Sequence, residues 1–211
     1  MAHSYTHHAI VLHGYDVGEA DRFCILLSKE KGLIAARARG VRKVKSRIGG
    51  SILPLQEIQV TLHEGASGWH IVDSSTIGEN TALTLDSYLY ANQCADIIIS
   101  MIENEYPIPE IFTLMQEYLF GCKNNKVKSV FPFTIRLLYE LGLLPMHEDH
   151  RVFIHLSEDE RNLLKEIRSS EKWMECNVPE NNNSLDALCN SIVENNSRRP
   201  LKAKNVAANC I

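Results

Sequence analysis

The chain lacks a hydrophobic run long enough to cross a bilayer: its nearest approach, Cys94–Ile102, is broken by Asp96 and Ser100. Its first residues show no basic stretch followed by an apolar one, so no secretory signal is read there, and a cytoplasmic protein without membrane contact is expected. Six cysteines are scattered at Cys24, Cys94, Cys122, Cys176, Cys189 and Cys210, never as a C-x-x-C pair. They read as reduced, mostly buried thiols rather than disulfide staples. A structural zinc site needs two spaced ligand pairs; His147 and His150 make one, and His155 with Cys176 does not make a second, so no metal is expected. The nucleophile elbow G-x-S-x-G, the phosphate loop G-x-x-x-x-G-K-[ST] and the H-E-x-x-H helix are all missing. No enzyme activity and no cofactor are expected. Glu19 and Asp21 flank a turn beside Arg22 and read as capping or ion-pairing groups.

Negative charge is the majority sign, with a formal net charge of -4, and this makes the distribution of the positive residues informative. Residues 1–80 carry +1 and residues 81–211 carry -5. Within the first part, Arg37-Ala-Arg-Gly-Val-Arg-Lys-Val-Lys-Ser-Arg47 holds six basic residues and no acidic one. Such a cluster creates a local field that an anionic polymer can use, although a solvated loop without a ligand would carry the same charges. Arg37 and Arg39, two apart, project from one face of a strand; Gly40 breaks it, and Arg42, Lys43, Lys45 and Arg47 follow on a loop. Aromatic residues make up only 7% of the chain. In the first part the stacking candidates are Tyr5, Tyr15, Phe23 and Trp69, of which Phe23 reads as core and Tyr15 as part of the turn between the first two strands. With so few aromatic faces, phosphate contacts would supply most of any nucleic-acid affinity, largely without regard to sequence.

The period of the apolar residues changes near residue 80. Before it, short runs at Ala9–His13, Phe23–Ser28, Leu33–Arg39, Glu57–Glu64 and Trp69–Ser74 are separated by glycine-rich turns. Five strands of this kind suggest a small closed barrel of the OB type, and an SH3-like module would leave the same trace. After Thr81 the spacing is helical. One helix ends before Pro107, others cover about Pro109–Cys122 and Val127–Leu141, a capping box at Ser157-Glu-Asp-Glu160 opens another, and Ser184–Asn195 forms the last. The expected class is therefore α+β: a five-stranded OB-fold barrel over 1–80, then an all-α helical bundle over 81–211. A second basic group, Arg198, Arg199, Lys202 and Lys204, follows the last helix.

These residues together resemble the RecO family of bacterial recombination mediators. The resemblance rests on Gly18-Glu-Ala-Asp-Arg22, on Lys31-Gly32 before the third strand, and on Gly40-Val-Arg-Lys-Val-Lys-Ser-Arg47, similar to the family's G-x-R-x-x-K-S-R. Leu53-Pro54-Leu55, Leu141-Gly-Leu-Leu-Pro145 and Arg199-Pro-Leu-Lys202 follow in the family's order. Many members carry a four-cysteine zinc element after L-G-x-x-P, where this chain has Met146-His-Glu-Asp-His-Arg151.

The resemblance implies an OB-fold followed by a helical domain and binding to single- and double-stranded DNA. It also implies annealing of complementary strands and, with RecR, loading of RecA onto strands coated by single-stranded DNA-binding protein. Arg37, Arg39, Arg42, Lys43, Lys45 and Arg47 would hold phosphates, joined by Lys31 and Tyr15. Arg198, Arg199, Lys202 and Lys204 would help to dock the acidic, hydrophobic-ended tail of the single-stranded DNA-binding protein. Two other classes fit the same residues: an RNA-binding module of OB type, and an adaptor whose basic loop meets an acidic protein surface.

Overall fold

A computed structural model describes residues 4–78, 82–146, 150–179 and 182–198. Its first unit is built on strands β1 (Ser4–Val17), β2 (Asp21–Ser28), β3 (Gly32–Ala38), β4 (Glu57–Gly65) and β5 (Gly68–Thr76). They close into a barrel in the order β1-β2-β3-β5-β4. Only β3 and β5 run parallel, with Ala36, Arg37 and Ala38 opposite Trp69, His70 and Ile71. Parallel neighbours need a crossover rather than a hairpin, and the 39–56 loop followed by β4 provides it.

Closure depends on β1, which is longer than the expected Ala9–His13. Its first half, Ser4–Ile10, pairs with β4, and Ala9–Val17 pairs with β2. A register shift between Val11 and His13 marks where it bends from one partner to the other. Val11, Cys24, Leu26, Ile34, Val60 and Leu62 point into the barrel. Their alternation is the period-2 pattern of a sheet with one face buried.

The sequence places the end of this unit at residue 80, whereas residues 102–116 also group with the barrel. Asn104 pairs with Leu33, and the Glu105 N–H donates to the Leu33 carbonyl at 2.8 Å. The backbone of Tyr106 then passes so close to Gly32 that a Cβ on Gly32 would lie 2.2 Å from the Tyr106 carbonyl oxygen. With φ at +72°, Gly32 meets two demands that only glycine satisfies together.

The second unit holds α1 (Leu85–Met101), α3 (Phe131–Glu140), α4 (Glu158–Ser169), α5 (Asn183–Asn196) and the part of α2 (Pro109–Lys123) after Gln116. Tyr118 is fully buried, edge-on to Phe133 at 5.0 Å and stacked on Trp173 at 6.1 Å. The capping box forms as the sequence predicts: the Glu160 N–H donates to Ser157 Oγ, and the Glu160 carboxylate accepts from the Ser157 N–H at 2.8 Å. That carboxylate also accepts from the Leu185 N–H at 2.9 Å, so one buried acid serves the starts of both α4 and α5. Burial opposes its ionisation, but the N–H and hydroxyl donors outweigh burial and hold it below the ordinary glutamate range. At the other end of α4, Arg136 donates to the carbonyls of Ile167, Arg168 and Ser170 while its guanidinium lies over the Trp173 ring. A helix C-terminus leaves carbonyls without partners, and this arginine supplies them.

The five described cysteines are free and buried. Burial pushes Cys24 up to about 11 and Cys122 and Cys189 up to about 12, keeping these thiols protonated. Among the described residues no helix is long and apolar enough to cross a membrane, and no group of three or more His, Cys, Asp or Glu side chains converges on a metal position.

Candidate nucleic-acid interface

The basic segment begins on β3 and leaves it at Ala38. Ala36 and Ala38 fill the barrel, so Arg37 between them points outward, and Arg39 is exposed one residue beyond the strand end. Val41 then turns back into the core, where Ile52 is also buried and Ile48 packs against it. The loop is thus pinned by apolar side chains on either side of Arg42, Lys43, Lys45 and Arg47, all of which are exposed.

The six cations divide into two kinds. Arg37 donates to Asp21 through Nε at 2.9 Å and Nη2 at 2.7 Å. Arg42 reaches Asp16 at 3.3 Å and the Gly18 carbonyl at 3.1 Å. Asp21 also accepts the Gly40 N–H at 2.7 Å. This bond, followed by the Arg37 contact, holds the Asp21 carboxyl below its ordinary range. Arg39, Lys43, Lys45 and Arg47, in contrast, make no ion pair among the described residues. Two acids of the β1–β2 hairpin therefore fasten the root of the loop and leave four cations outside any ion pair among the described residues. The sequence assigns Asp21 to Arg22 by proximity. Arg22 pairs instead with Asp16 at 3.0 Å, because Asp16 and Arg22 face each other across the hairpin.

Beside the loop, strand register sets an outward-facing row that the sequence does not reveal. Tyr15 lies opposite Phe23, Phe23 opposite Arg37, and Arg37 opposite His70, crossing four strands. Tyr15 belongs to β1 rather than to the turn, and the His13 ring meets it edge-on at 4.8 Å. Phe23 is not core: its neighbour Cys24 points inward, so Phe23 faces out and is half-buried. Aromatic faces interleaved with a guanidinium are the arrangement on which single-stranded bases stack.

Trp69 and Lys31 serve another purpose. Trp69 is buried and donates through Nε1 to Glu105 at 3.0 Å; Lys31 binds the same carboxylate at 3.2 Å and sits 4.2 Å above the indole ring. Lys31 is thus engaged inside the first unit. In the second basic group, the Arg198 N–H donates to the Ser100 carbonyl at 2.8 Å. Arg199, Lys202 and Lys204 lie outside the described residues.

The second unit contributes a further basic feature. Arg161, Lys165 and Arg168 on α4 line a shallow, open cleft together with Tyr139, Pro145, Met146, Phe153 and Leu164. The spacing of the three cations puts them along one helix side. Reading the sequence for contiguous charge runs missed them because they stand four and three residues apart, with Asn162, Leu163, Leu164, Glu166 and Ile167 between them.

A closed barrel of this strand order, with helices after it, is an OB-fold followed by a helical domain. Residues 1–77 match the family described as recombination protein O N terminal. Proteins named DNA repair protein RecO are similar over 67% of this chain. That from Myxococcus xanthus is 30% identical over 149 residues, covering 60% of its own length. That from Heliobacterium modesticaldum is 31% identical over 150 residues, 52% of its length, and that from Gloeothece citriformis 33% over 144 residues, 51% of its length. The chain spans between about half and three-fifths of these relatives. It belongs to the RecO family.

Proposed function

We propose that this chain binds DNA in recombinational repair, taking single and double strands without sequence preference. It screens the repulsion between complementary backbones so that they anneal. With RecR, it helps to load RecA onto strands coated by single-stranded DNA-binding protein, acting in the cytoplasm. No catalytic step and no cofactor belongs to this reading. The observation that carries it is the pairing pattern: Arg39, Lys43, Lys45 and Arg47 make no ion pair among the described residues and lie beside the outward row of Tyr15, Phe23, Arg37 and His70. Cations outside ion pairs can displace counterions from phosphates, and the adjacent rings suit unpaired bases. The relatives named for DNA repair support the same role.

Docking of the acidic, hydrophobic-ended tail belongs on the α4 cleft, where Lys165 and Arg168 rim an apolar floor that includes Phe153 and Leu164. Lys165→Glu should weaken capture of a peptide bearing such a tail while leaving DNA affinity unchanged. Equal capture by both proteins would remove the cleft from the proposal.

The decisive test of DNA binding is an anisotropy titration of a labelled single-stranded oligonucleotide across salt concentrations. Each neutralised phosphate contributes about -0.7 to the log–log slope, so replacing Arg39, Lys43, Lys45 and Arg47 by alanine should make it shallower by about 2.8. Binding that keeps its slope would move the site off the barrel. Absence of binding by the wild type at low salt would overturn the reading, and a strong preference for RNA would replace it with the RNA-binding one.

A further inference from the structure

Val44 occupies the corner of the turn that the Ser46 N–H closes onto the Lys43 carbonyl at 2.8 Å. Its side chain is fully exposed, at 104% of the reference area, more than any other large apolar side chain among the described residues. Most other apolar residues of the loop behave oppositely: Val41, Ile52 and Leu55 are buried, Ile48 packs on the barrel core, and Leu53 is open only in part, at 40%. Lys43 and Lys45 flank Val44, and neither has an ion pair among the described residues. The base of this tip is stiff. Gly40 is held by Asp21, and the Arg42 N–H donates to the Ala20 carbonyl at 2.9 Å.

Cations gather phosphates, but a valine between them contributes nothing to a phosphate contact. The apolar surface that nucleic acid offers is the face of its bases, which an intact duplex covers and a junction or frayed end exposes. Valine suits such a surface, because branching at Cβ restricts χ1 and keeps the side chain in one orientation.

We infer that Val44 is a wedge that inserts against the terminal base pair where duplex meets single strand, with Lys43 and Lys45 straddling it on the phosphates. This inference rests on the DNA-binding reading above and deepens it: the preferred ligand is a junction rather than a uniform strand. A wedge there would hold a strand end open, as annealing and displacement both require.

The test uses the full chain and a duplex with a single-stranded tail, carrying 2-aminopurine at the first paired position. Saturating wild-type protein should raise the 2-aminopurine emission as that base unstacks. Val44→Ser should abolish most of the rise and cut the preference for this junction over a blunt duplex by about tenfold, as expected for losing the burial of valine's methyl groups. Its salt slope should match the wild type. Binding without any emission change in the wild type, or an equal rise with Val44→Ser, overturns the wedge and leaves DNA binding standing. No binding at all by the wild type defeats the DNA reading instead. Should Val44→Ser also lose salt slope, Val44→Leu decides: an apolar tip that keeps the emission rise upholds the wedge, and one that loses it overturns the wedge.

Discussion

At the scale of single residues, the root of the loop is fastened by two aspartates of the β1–β2 hairpin. Asp21 accepts from Arg37 and from the Gly40 backbone, while Asp16 joins Arg22 to Arg42. A carboxyl held below its ordinary value stabilises the fold above the unfolded carboxylate range, and that contribution disappears as pH falls through the folded value. For Asp21 the window therefore lies at and below pH 4, from the unperturbed 3.8 downward. Asp21→Ala should lower the melting temperature at neutral pH, with the difference from wild type shrinking as both are acidified toward and below that window. It should also speed hydrogen exchange at the Gly40 amide, which loses its acceptor. A melting difference that stays constant down to strongly acid pH would show that the Asp21 charge is not what holds the loop.

At the scale of elements, α4 is secured at both ends by side chains from its neighbourhood. Glu160 serves the N-terminus of α4 and the Leu185 amide of α5, and Arg136 serves the carbonyls at the C-terminus. Removing a buried acceptor leaves donors unsatisfied, so Glu160→Ala should destabilise the protein by about 1–3 kcal/mol. Ser157→Ala, which removes only the cap, should cost about 1 kcal/mol. Denaturant titration followed by helical circular dichroism measures both. Equal losses from the two substitutions would mean that the Leu185 contact contributes little. The capping box was visible in the sequence because its signal is local: a serine and a glutamate three apart. The Arg136 clamp and the Leu185 contact were not visible, since residues 31 and 25 positions away supply the partners.

At the scale of the molecule, residues 102–116 group with the barrel although they follow the first long helix. Glu105 covers Trp69 and Lys31, and Tyr106 packs its backbone on Gly32. A fragment ending at residue 82 should therefore leave Trp69 wet, and one ending at residue 123 should keep it buried. Each fragment contains Trp69 as its sole tryptophan, since the chain has two and the other is Trp173. The shorter fragment should emit at longer wavelength and unfold at lower denaturant. Identical emission from both would place the structural boundary near residue 80 after all.

The sequence by itself determined that five strands precede a set of helices, that six cations cluster from the end of the third strand onward, and which glycines turn the chain. Those features are written in near-neighbour spacing: alternation, helical period, caps and charge runs. The tertiary structure alone decided which cations are neutralised, because Asp16 and Asp21 meet Arg42 and Arg37 only through strand pairing. It also decided that Phe23 and Tyr15 share an outer face with Arg37 and His70, and that Trp69 is covered by Glu105 rather than open to a base. Strand register and long-range return of the chain carry no local signature. They emerge when the whole barrel closes and each side chain is assigned to its inside or its outside.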